Sequence, residues 1–438
     1  MEGMKDSGIT WFGKVPESWE LIRLKYYSYM KGRIGWQGLR ADEFTEEGPY
    51  LITGTDFENG RIQFDRSYHI TEQRYSEAPQ IQLKTGDLLV TKDGTVGKMA
   101  LVTELPDKAS LNSHLLLIRP TDKYINAYLY WLMSSDVFTE YTDFAQDGTI
   151  MASLSQEKIG VFTAYVPSIK EQQAIADFLD DKCSQIDGII ADIEKQIEIL
   201  KSYKKSLITE TVTKGLNKNV KMKDSGVEWI GKVPKSWELI RLKYYSYMKG
   251  RIGWQGLRAD EFTEEGPYLI TGTDFENGRI QFDRSYHITE QRYSEAPQIQ
   301  LKIGDLLVTK DGTVGKMALV TELPDKASLN SHLLLIRPTG KYINAYLYWL
   351  MSSDVFTEYT DFAQNGTIMA SLSQEKIGDF TAYVPSIKEQ QTIADFLDDK
   401  CKKIDSIITT KQTQLTKMQQ HKKSLIYEYV TGKKRVAI

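Results

Sequence analysis

The sequence predicts an α+β fold in which two near-identical globular α/β domains are separated by a long antiparallel two-helix coiled coil with pseudo-twofold symmetry. Three observations support this prediction. The chain repeats itself at an offset of 218 residues, each repeat contains short β-rich segments with glycine and aspartate turns, and each repeat ends in a long stretch with apolar residues at heptad spacing. A chain of 438 residues can form two or three domains with hydrophobic cores.

The internal repeat covers nearly all of each half of the chain. Trp237 repeats Trp19, and between Pro16 and Cys183 the two copies differ at only six positions. These differences are Glu17/Lys235, Thr85/Ile303, Asp122/Gly340, Asp147/Asn365, Val161/Asp379 and Ala174/Thr392. Two copies of one domain are therefore expected.

The globular part of the first copy reads as short strands followed by helices. Residues 48–57, 60–70, 86–105 and 110–120 have the composition of strands, and Asp93-Gly94 is a hairpin turn signal. Residues 125–144 carry aromatic and aliphatic side chains at helical spacing and are expected to pack on the sheet.

The stretch 170–214 has no proline and one glycine, Gly188, and predicts a helix about 64 Å long. The later seam positions Lys204 and Thr211 are polar, so the packing should loosen toward the helix end. The apolar seam consists of Leu179, Ile186, Ile193, Leu200 and Leu207 with Cys183, Ile190 and Ile197. Its counterpart consists of Leu397, Ile404, Met418 and Leu425 with Cys401, Ile408, Leu415 and Tyr429, interrupted by Lys411 and Lys422. Gly215 is a helix stop signal.

The two helices are expected to run antiparallel. The joint 216–229 can span at most roughly 50 Å, which is too short to return along the first helix. Acidic residues gather in the first half of each helix and lysines in the second, so antiparallel helices would face acid against base. These charges can equally be a solvated surface. Cys183 and Cys401 would lie roughly 30 Å apart and form no disulfide.

The expected domain boundaries follow from the repeat. A first globular domain occupies residues 1–168, a spacer helix 169–215, a second globular domain 216–386 with a linker at 216–228, a second spacer helix 387–432, and a C-terminal tail 433–438.

Composition argues against several protein classes. Two cysteines and five histidines without CxxC or HxxxH spacing predict neither a disulfide scaffold nor a zinc site. A net charge of −4 excludes a general polyanion binder, so any DNA binding would use local patches or basic partners. The sequence has no long apolar run and no signal-peptide pattern, which predicts a cytoplasmic protein. P-loop, dinucleotide-binding and nucleophile-elbow motifs are absent, and no catalytic or metal-binding residues are assigned.

Three segments combine the side chains that bind DNA. The first places cationic, aromatic and amide groups on a glycine-rich backbone, where arginine can pair with guanine and glutamine with adenine; a twisted strand and turn is the alternative. The second surrounds the predicted hairpin turn and the third is a polar loop. Their residues are Lys31, Arg33, Trp36, Gln37 and Arg40; Lys92, Thr95 and Lys98; and Gln146, Thr149 and Ser153. The second copy contributes Lys249, Arg251, Trp254, Gln255 and Arg258; Lys310, Thr313 and Lys316; and Gln364, Thr367 and Ser371. Asp147/Asn365 is the copy difference placed where it could alter base readout.

Several segments resemble the specificity subunit of type I restriction–modification enzymes. These are DSGITWFGKVPESWELIRLKYY at 6–27, VPSIKEQQAIADFLDDK at 166–182 and KKSLITETVTKG at 204–215, each with a close second copy. The resemblance implies two target recognition domains that each read half of a split site in double-stranded DNA, with the helices as a spacer. It also implies a non-catalytic subunit that recruits two adenine-methyltransferase subunits and, in some systems, restriction subunits. S-adenosylmethionine, ATP and Mg²⁺ would then belong to those partners, and no membrane is involved.

The sequence departs from this family in one respect, because family members generally carry two dissimilar recognition domains. Two near-identical readers related by a twofold axis would read the same half-site in opposite directions, which predicts a gapped palindromic target. Two alternatives remain, namely the recognition subunit of a type IIB-like restriction–methylation enzyme and a coiled-coil binding scaffold without a DNA role.

Overall fold

A computed structural model describes residues 3–33, 43–92, 95–144, 154–250, 261–311, 313–362 and 372–437. The chain divides into two compact units. Unit 1 comprises Met1–Glu194 with Thr413–Ile438, and unit 2 comprises Lys195–Gln412. Each unit therefore contains one globular domain and half of each long helix.

The two units contain equivalent elements in the same order. In unit 1 the strands are β1 Met4–Asp6, β2 Lys14–Pro16, β3 Glu20–Arg23, β4 Ser28–Gly32, β5 Phe44–Ile52, β6 Phe57–Glu58, β7 Arg61–Ile62, β8 Tyr68–Ile70, β9 Leu88–Thr91, β10 Met99–Leu101, β11 Ala109–Leu111, β12 Leu115–Pro120 and β13 Thr163–Val166. The helices are α1 Glu72–Ser76, α2 Asn126–Met133, α3 Asp136–Phe144, α4 Gln156–Val161 and α5 Ile169–Lys214, of which α5 continues into unit 2.

In unit 2 the strands are β14 Met222–Asp224, β15 Lys232–Pro234, β16 Glu238–Arg241, β17 Ser246–Gly250, β18 Phe262–Ile270, β19 Phe275–Glu276, β20 Arg279–Ile280, β21 Tyr286–Ile288, β22 Leu306–Thr309, β23 Met317–Leu319, β24 Ala327–Leu329, β25 Leu333–Pro338 and β26 Thr381–Val384. The helices are α6 Glu290–Ser294, α7 Asn344–Met351, α8 Asp354–Phe362, α9 Gln374–Asp379 and α10 Ile387–Val430, and α10 ends in unit 1.

An antiparallel sheet with the order β10-β9-β12-β4 is the central layer of the first globular domain. Both of its faces are buried, because alternate residues of β9 and β12 enter two different cores. Leu88 and Val90 pack against the helices α2–α4 and the start of α5, whereas Leu89 packs toward the sheet β11-β5-β8. Burial on both faces explains the uninterrupted apolar runs of these strands. The predicted hairpin forms between β9 and β10, and its turn residues Asp93-Gly94 lie outside the described residues.

The two long helices pair antiparallel within each unit, as predicted. In unit 1 the rings of Phe178 and Tyr429 have centroids 4.4 Å apart, and Lys422 Nζ lies 2.6 Å from Asp187 Oδ1. In unit 2 Lys204 Nζ lies 2.7 Å from Asp405 Oδ2, and Lys411 donates a hydrogen bond to Gln196. The three polar seam lysines thus bind the opposite helix and help to define its register.

The helix end is more tightly packed than expected, and the prediction of loosening there is wrong. Thr211 is only 4 % exposed, and its neighbours Ile208 and Val212 enter the core of unit 2. Tyr346 also donates a hydrogen bond to the carbonyl of Val212. A heptad argument considers only the partner helix, whereas this turn packs against a globular domain. Gly215 then ends α5 with φ = +73°, the stop predicted from the sequence.

Both cysteines are free and buried within their own unit. Desolvation raises the pKa of Cys183 and of Cys401 to about 11, so both thiols stay protonated near neutral pH. In the described part of the chain, no helix is both long and apolar enough to cross a membrane. Nor do the described residues contain a group of three or more potential metal ligands.

Candidate nucleic-acid interface

The structure brings the first and second candidate segments together at β4. Lys31 is exposed on this edge strand of the central sheet and lies opposite Leu117 of β12. A Cβ atom at Gly32 would lie 3.1 Å from Lys92 Nζ, which places the Lys92 ammonium against the backbone beside Lys31. Lys249, Gly250 and Lys310 repeat this arrangement in unit 2. Each unit therefore has a pair of lysines at the end of this strand.

The side chain of Arg33 is buried inside the first globular domain. It is 4 % exposed, its Nε donates to the carbonyl of Leu111 at 2.9 Å, and Nη2 donates to Ser110 Oγ at 3.0 Å. Desolvation, assisted by the nearby charge of Arg74, lowers the pKa of Arg33 to about 10, which leaves the guanidinium charged near neutral pH. A contact with a base would break these buried bonds, so the burial of Arg33 counts against a direct role in DNA binding.

The turn after β9 is held by Thr91. Its hydroxyl oxygen accepts a hydrogen bond from the Lys98 amide at 2.9 Å and the hydroxyl donates to the carbonyl of Thr95 at 2.5 Å. Thr95 and Lys98 are exposed, and Lys98 Nζ donates to the carbonyl of Gly54 at 3.3 Å. The equivalent residues Thr313 and Lys316 are likewise exposed in unit 2. Thr91 thus holds a backbone turn that presents two polar side chains to solvent.

A surface groove lies between β4 and α4 in unit 1, with a volume of about 490 Å³. It is lined by Lys25, Ser28, Tyr29, Met30, Lys31, Gln156, Glu157 and Gly160. The matching groove in unit 2 has a volume of about 570 Å³ and includes Lys243, Lys249 and Asp379. The predicted DNA-binding residue Lys31 therefore shares a concave surface with Lys25, which is not among the predicted DNA-binding residues.

The copy difference Val161/Asp379 changes the charge of this groove. In unit 2 Asp379 Oδ1 lies 2.8 Å from Lys243 Nζ and 3.9 Å from Arg241 Nη1, and its hydrogen bond to Lys243 lowers the pKa of Asp379. In unit 1 Val161 is 39 % exposed, and within the described residues neither Arg23 nor Lys25 has an acidic partner. The unit 1 groove is thus more positive by one charge.

Sequence reasoning missed these cations. Lys25 Nζ lies 4.9 Å from the ring centroid of Tyr26, which is itself exposed, so the surface also offers an aromatic face. The available signal was the spacing of Arg23 and Lys25, which lie at the end of β3 and in the turn after it, together with the copy difference at position 161.

The remaining candidates lie outside the described residues and stay predictions. They are Trp36, Gln37, Arg40, Gln146, Thr149 and Ser153, with Arg251, Trp254, Gln255, Arg258, Gln364, Thr367 and Ser371 in the second copy. The pair Asp147/Asn365 also lies outside the described residues.

Histidine has a structural role at the bulge between β5 and β8. The Nδ1 atom of His69 lies 2.7 Å from the carbonyl oxygen of Gly48, and His287 repeats this contact with Gly266. Gly48 has φ = +124°, and a side chain there would collide with the carbonyl of Ile70. The histidine therefore stabilises the bulge through a backbone carbonyl.

Comparisons with solved structures agree with this architecture. A chain from a study of complex assembly and conformational transition of the type I R-M system superposes with a TM-score of 0.68 at 14 % sequence identity, covering 95 % of this chain and 98 % of that one. The HsdS subunit from Thermoanaerobacter tengcongensis gives a TM-score of 0.53 at 15 % identity with the same coverage. At these identities the likeness establishes the fold.

Sequence comparisons give the family. A putative type I restriction enzyme MjaX specificity subunit of Methanocaldococcus jannaschii is 24 % identical and aligns with 98 % of this chain and 96 % of its own length. The MjaVIII specificity subunit of the same organism is 25 % identical, with 97 % and 94 % covered. The family model described as type I restriction modification DNA specificity domain matches twice, at residues 36–199 and 254–417. With both repeats matched, this chain belongs to the family of type I restriction–modification DNA specificity subunits.

Proposed function

We propose that this chain reads a split, palindromic DNA target, with one half-site for each unit, as the specificity subunit of a type I restriction–modification complex. The observation that carries the proposal is the duplication of one surface on two units of a DNA specificity protein. Lys31 and Lys92 in unit 1 have counterparts in Lys249 and Lys310, and the surrounding strands have the same register. Two recognition surfaces with the same side chains should bind the same half-site sequence.

The helices suit a role as a spacer. Both α5 and α10 are continuous and contribute to both units. The near-identical repeats predict a twofold relation of the two recognition domains, and such a relation would invert one half-site with respect to the other. The target is then a short half-site, an unread spacer and the reverse complement of the half-site.

Base readout is assigned to the glycine-rich segment, where Trp36, Gln37 and Arg40 and their counterparts supply bidentate and stacking groups. The lysines at the end of β4 and β17 contact phosphates, which position the protein without reading sequence. A net charge of −4 makes it reasonable that partner subunits supply part of the cationic surface around the DNA.

Methylation is assigned to partner subunits. The chain itself acts as a non-catalytic, cytoplasmic recognition subunit that recruits two adenine-methyltransferase subunits, with restriction subunits added in systems that have them. S-adenosylmethionine, ATP and Mg²⁺ bind to those partners.

Methylated-base mapping tests the proposal. The chain is expressed with its methyltransferase partner in a host that lacks adenine methylation, and the modified motif is read by sequencing. We expect a gapped palindrome methylated on both strands, and no methylation when either protein is expressed alone. An asymmetric motif contradicts equal readout by the two units, and methylation by the chain alone contradicts the non-catalytic role.

A further inference from the structure

The segment 432–437, here named the tail segment, fills a groove beside Trp19 in unit 1. Gly432 has φ = +71°, and a Cβ atom there would lie 2.5 Å from the Pro16 ring and 3.0 Å from the indole of Trp19. Arg435 Nε lies 2.5 Å from Glu171 Oε1, and Glu171 is only 4 % exposed. Val436 packs against the helical core of the unit. An arginine followed by a small aliphatic residue thus occupies this groove.

The equivalent groove in unit 2 is open. Gly215 takes the place of Gly432, with φ = +73° and a similar approach to Trp237. The chain then continues as Leu216-Asn217, where the tail segment has Lys433-Lys434. A cavity of about 370 Å³ remains, lined by Leu216, Asn217, Val220, Pro234, Ser236, Trp237, Ser386, Lys388, Glu389 and Thr392. This cavity is named the Glu389 pocket.

The carboxylate in this pocket lacks the partner that its counterpart has. Glu389 is half-buried, and among the described residues no lysine or arginine forms an ion pair with it. Lys218, which holds the position of Arg435 counted from the glycine, is exposed. The pocket therefore combines an unpaired carboxylate with the apolar surface of Leu216 and Trp237, of which Leu216 is exposed.

We propose that the Glu389 pocket binds an extended segment of a partner subunit in which an arginine is followed by a small aliphatic residue. The guanidinium pairs with the Glu389 carboxylate, and the aliphatic side chain packs on the exposed side chain of Leu216. Unit 1 supplies the reason for this choice, because its own tail segment pairs Arg435 with Glu171 and packs Val436 against the hydrophobic core. A second copy is a poorer source, since its tail segment is already engaged within unit 1.

The pocket can be tested with a peptide of residues 431–438, TGKKRVAI, titrated into the full chain and followed by tryptophan fluorescence and calorimetry. We expect one binding site. The variant Glu389→Gln should weaken binding about tenfold or more, because the neutral amide replaces a charged acceptor for the guanidinium. A peptide with alanine in place of the arginine should bind more weakly by the same factor. The matched variant Glu171→Gln should leave the affinity of this site unchanged.

A chain that ends at Gly432 provides a second readout, since removal of the tail segment opens the groove in unit 1. We expect two peptide sites in this shortened chain and one in the full chain. If the shortened chain is less stable, as a lower melting temperature would show, the full-length variant Arg435→Ala can be used instead to count the peptide sites. One site in the shortened chain and none in the full chain would overturn the proposal, because only unit 1 would then recognise arginine.

The assignment of the bound segment to a partner subunit rests on the proposed function. The peptide titration tests the pocket alone and does not depend on that function. With the methyltransferase partner, Glu389→Gln should reduce the affinity of assembly about tenfold and Glu171→Gln should not. Peptide binding with unchanged assembly would overturn the assignment to a partner subunit and leave the proposed function intact. A concentration-dependent dimer that Arg435→Ala abolishes would instead identify a second copy as the occupant.

Discussion

Gln172 shows how one side chain can fasten a long helix to a globular domain. This residue is fully buried at the start of α5. Its side-chain oxygen Oε1 accepts a hydrogen bond from the backbone amide of Ile125 at 2.9 Å. Its side-chain Nε2 donates to the backbone carbonyls of Lys123 and Pro167 at 3.0 and 2.8 Å. Only a side chain with both donor and acceptor groups can satisfy all three backbone partners. This geometry gives a physical reason for the glutamine in the segment VPSIKEQQ.

The variant Gln172→Leu should therefore destabilise unit 1. It leaves one buried and two partly buried backbone groups without this partner, so the free energy of unfolding should fall by about 1–3 kcal/mol. Urea denaturation followed by circular dichroism measures the change. Gln390→Leu is the matched variant, since Gln390 makes the same three bonds in unit 2. A loss below about 0.5 kcal/mol, the range of ordinary surface substitutions, would show that these bonds do not hold the helix.

Among the described residues, the short helix α4 and its counterpart α9 carry a difference between the two recognition surfaces. Both pack against the turn after β3 or β16, and their last residues are Val161 and Asp379. In unit 2 Asp379 forms ion pairs with Arg241 and Lys243, whereas within the described residues Arg23 and Lys25 of unit 1 have no acidic partner. The two domains can thus read the same bases while holding the phosphate backbone with different strength.

Exchanging these two residues should change DNA affinity in opposite directions. Asp379→Val frees Arg241 and Lys243 and should raise the affinity of the assembled complex, whereas Val161→Asp should lower it. The slope of log K against log salt should steepen or flatten by about 0.9 for every phosphate whose neutralisation a variant adds or removes. Fluorescence anisotropy across a salt series, with the methylated motif as control, measures both affinity and slope. Equal slopes for all variants would place the DNA away from this groove.

The sequence predicted the periodic features of the molecule well. The repeat predicted the duplicated α/β domains, and the heptads together with the short joint 216–229 predicted the antiparallel helix pairs. Contacts between distant segments were not predictable in this way. Arg33 is buried against residues 77 and 78 positions away, and Val212 packs in a domain that follows it in sequence. The ion pairs of Asp379 likewise depend on α9 packing against the turn after β16, and the periodicity of the sequence does not predict this contact.

At the scale of the whole molecule, helix length should determine the DNA spacer. The units meet along the chain at Glu194–Lys195 and Gln412–Thr413, within the two long helices. Inserting seven residues at both points keeps the heptad seam in phase and lengthens each helix by about 10.5 Å. With about 3.4 Å per base step, the unread spacer should grow by about three base pairs while both half-sites stay the same.

Methylated-base mapping of the lengthened protein with its partner measures this outcome directly. Inserting four residues at both points is the matched control, because it puts the heptad seam out of phase across the insertion and should interrupt helix pairing there. Helix pairing, and with it assembly, should suffer in that control. If the seven-residue variant assembles, methylates DNA and keeps the original spacer, helix length does not set the distance between half-sites, and the globular domains alone must determine where each half-site is read.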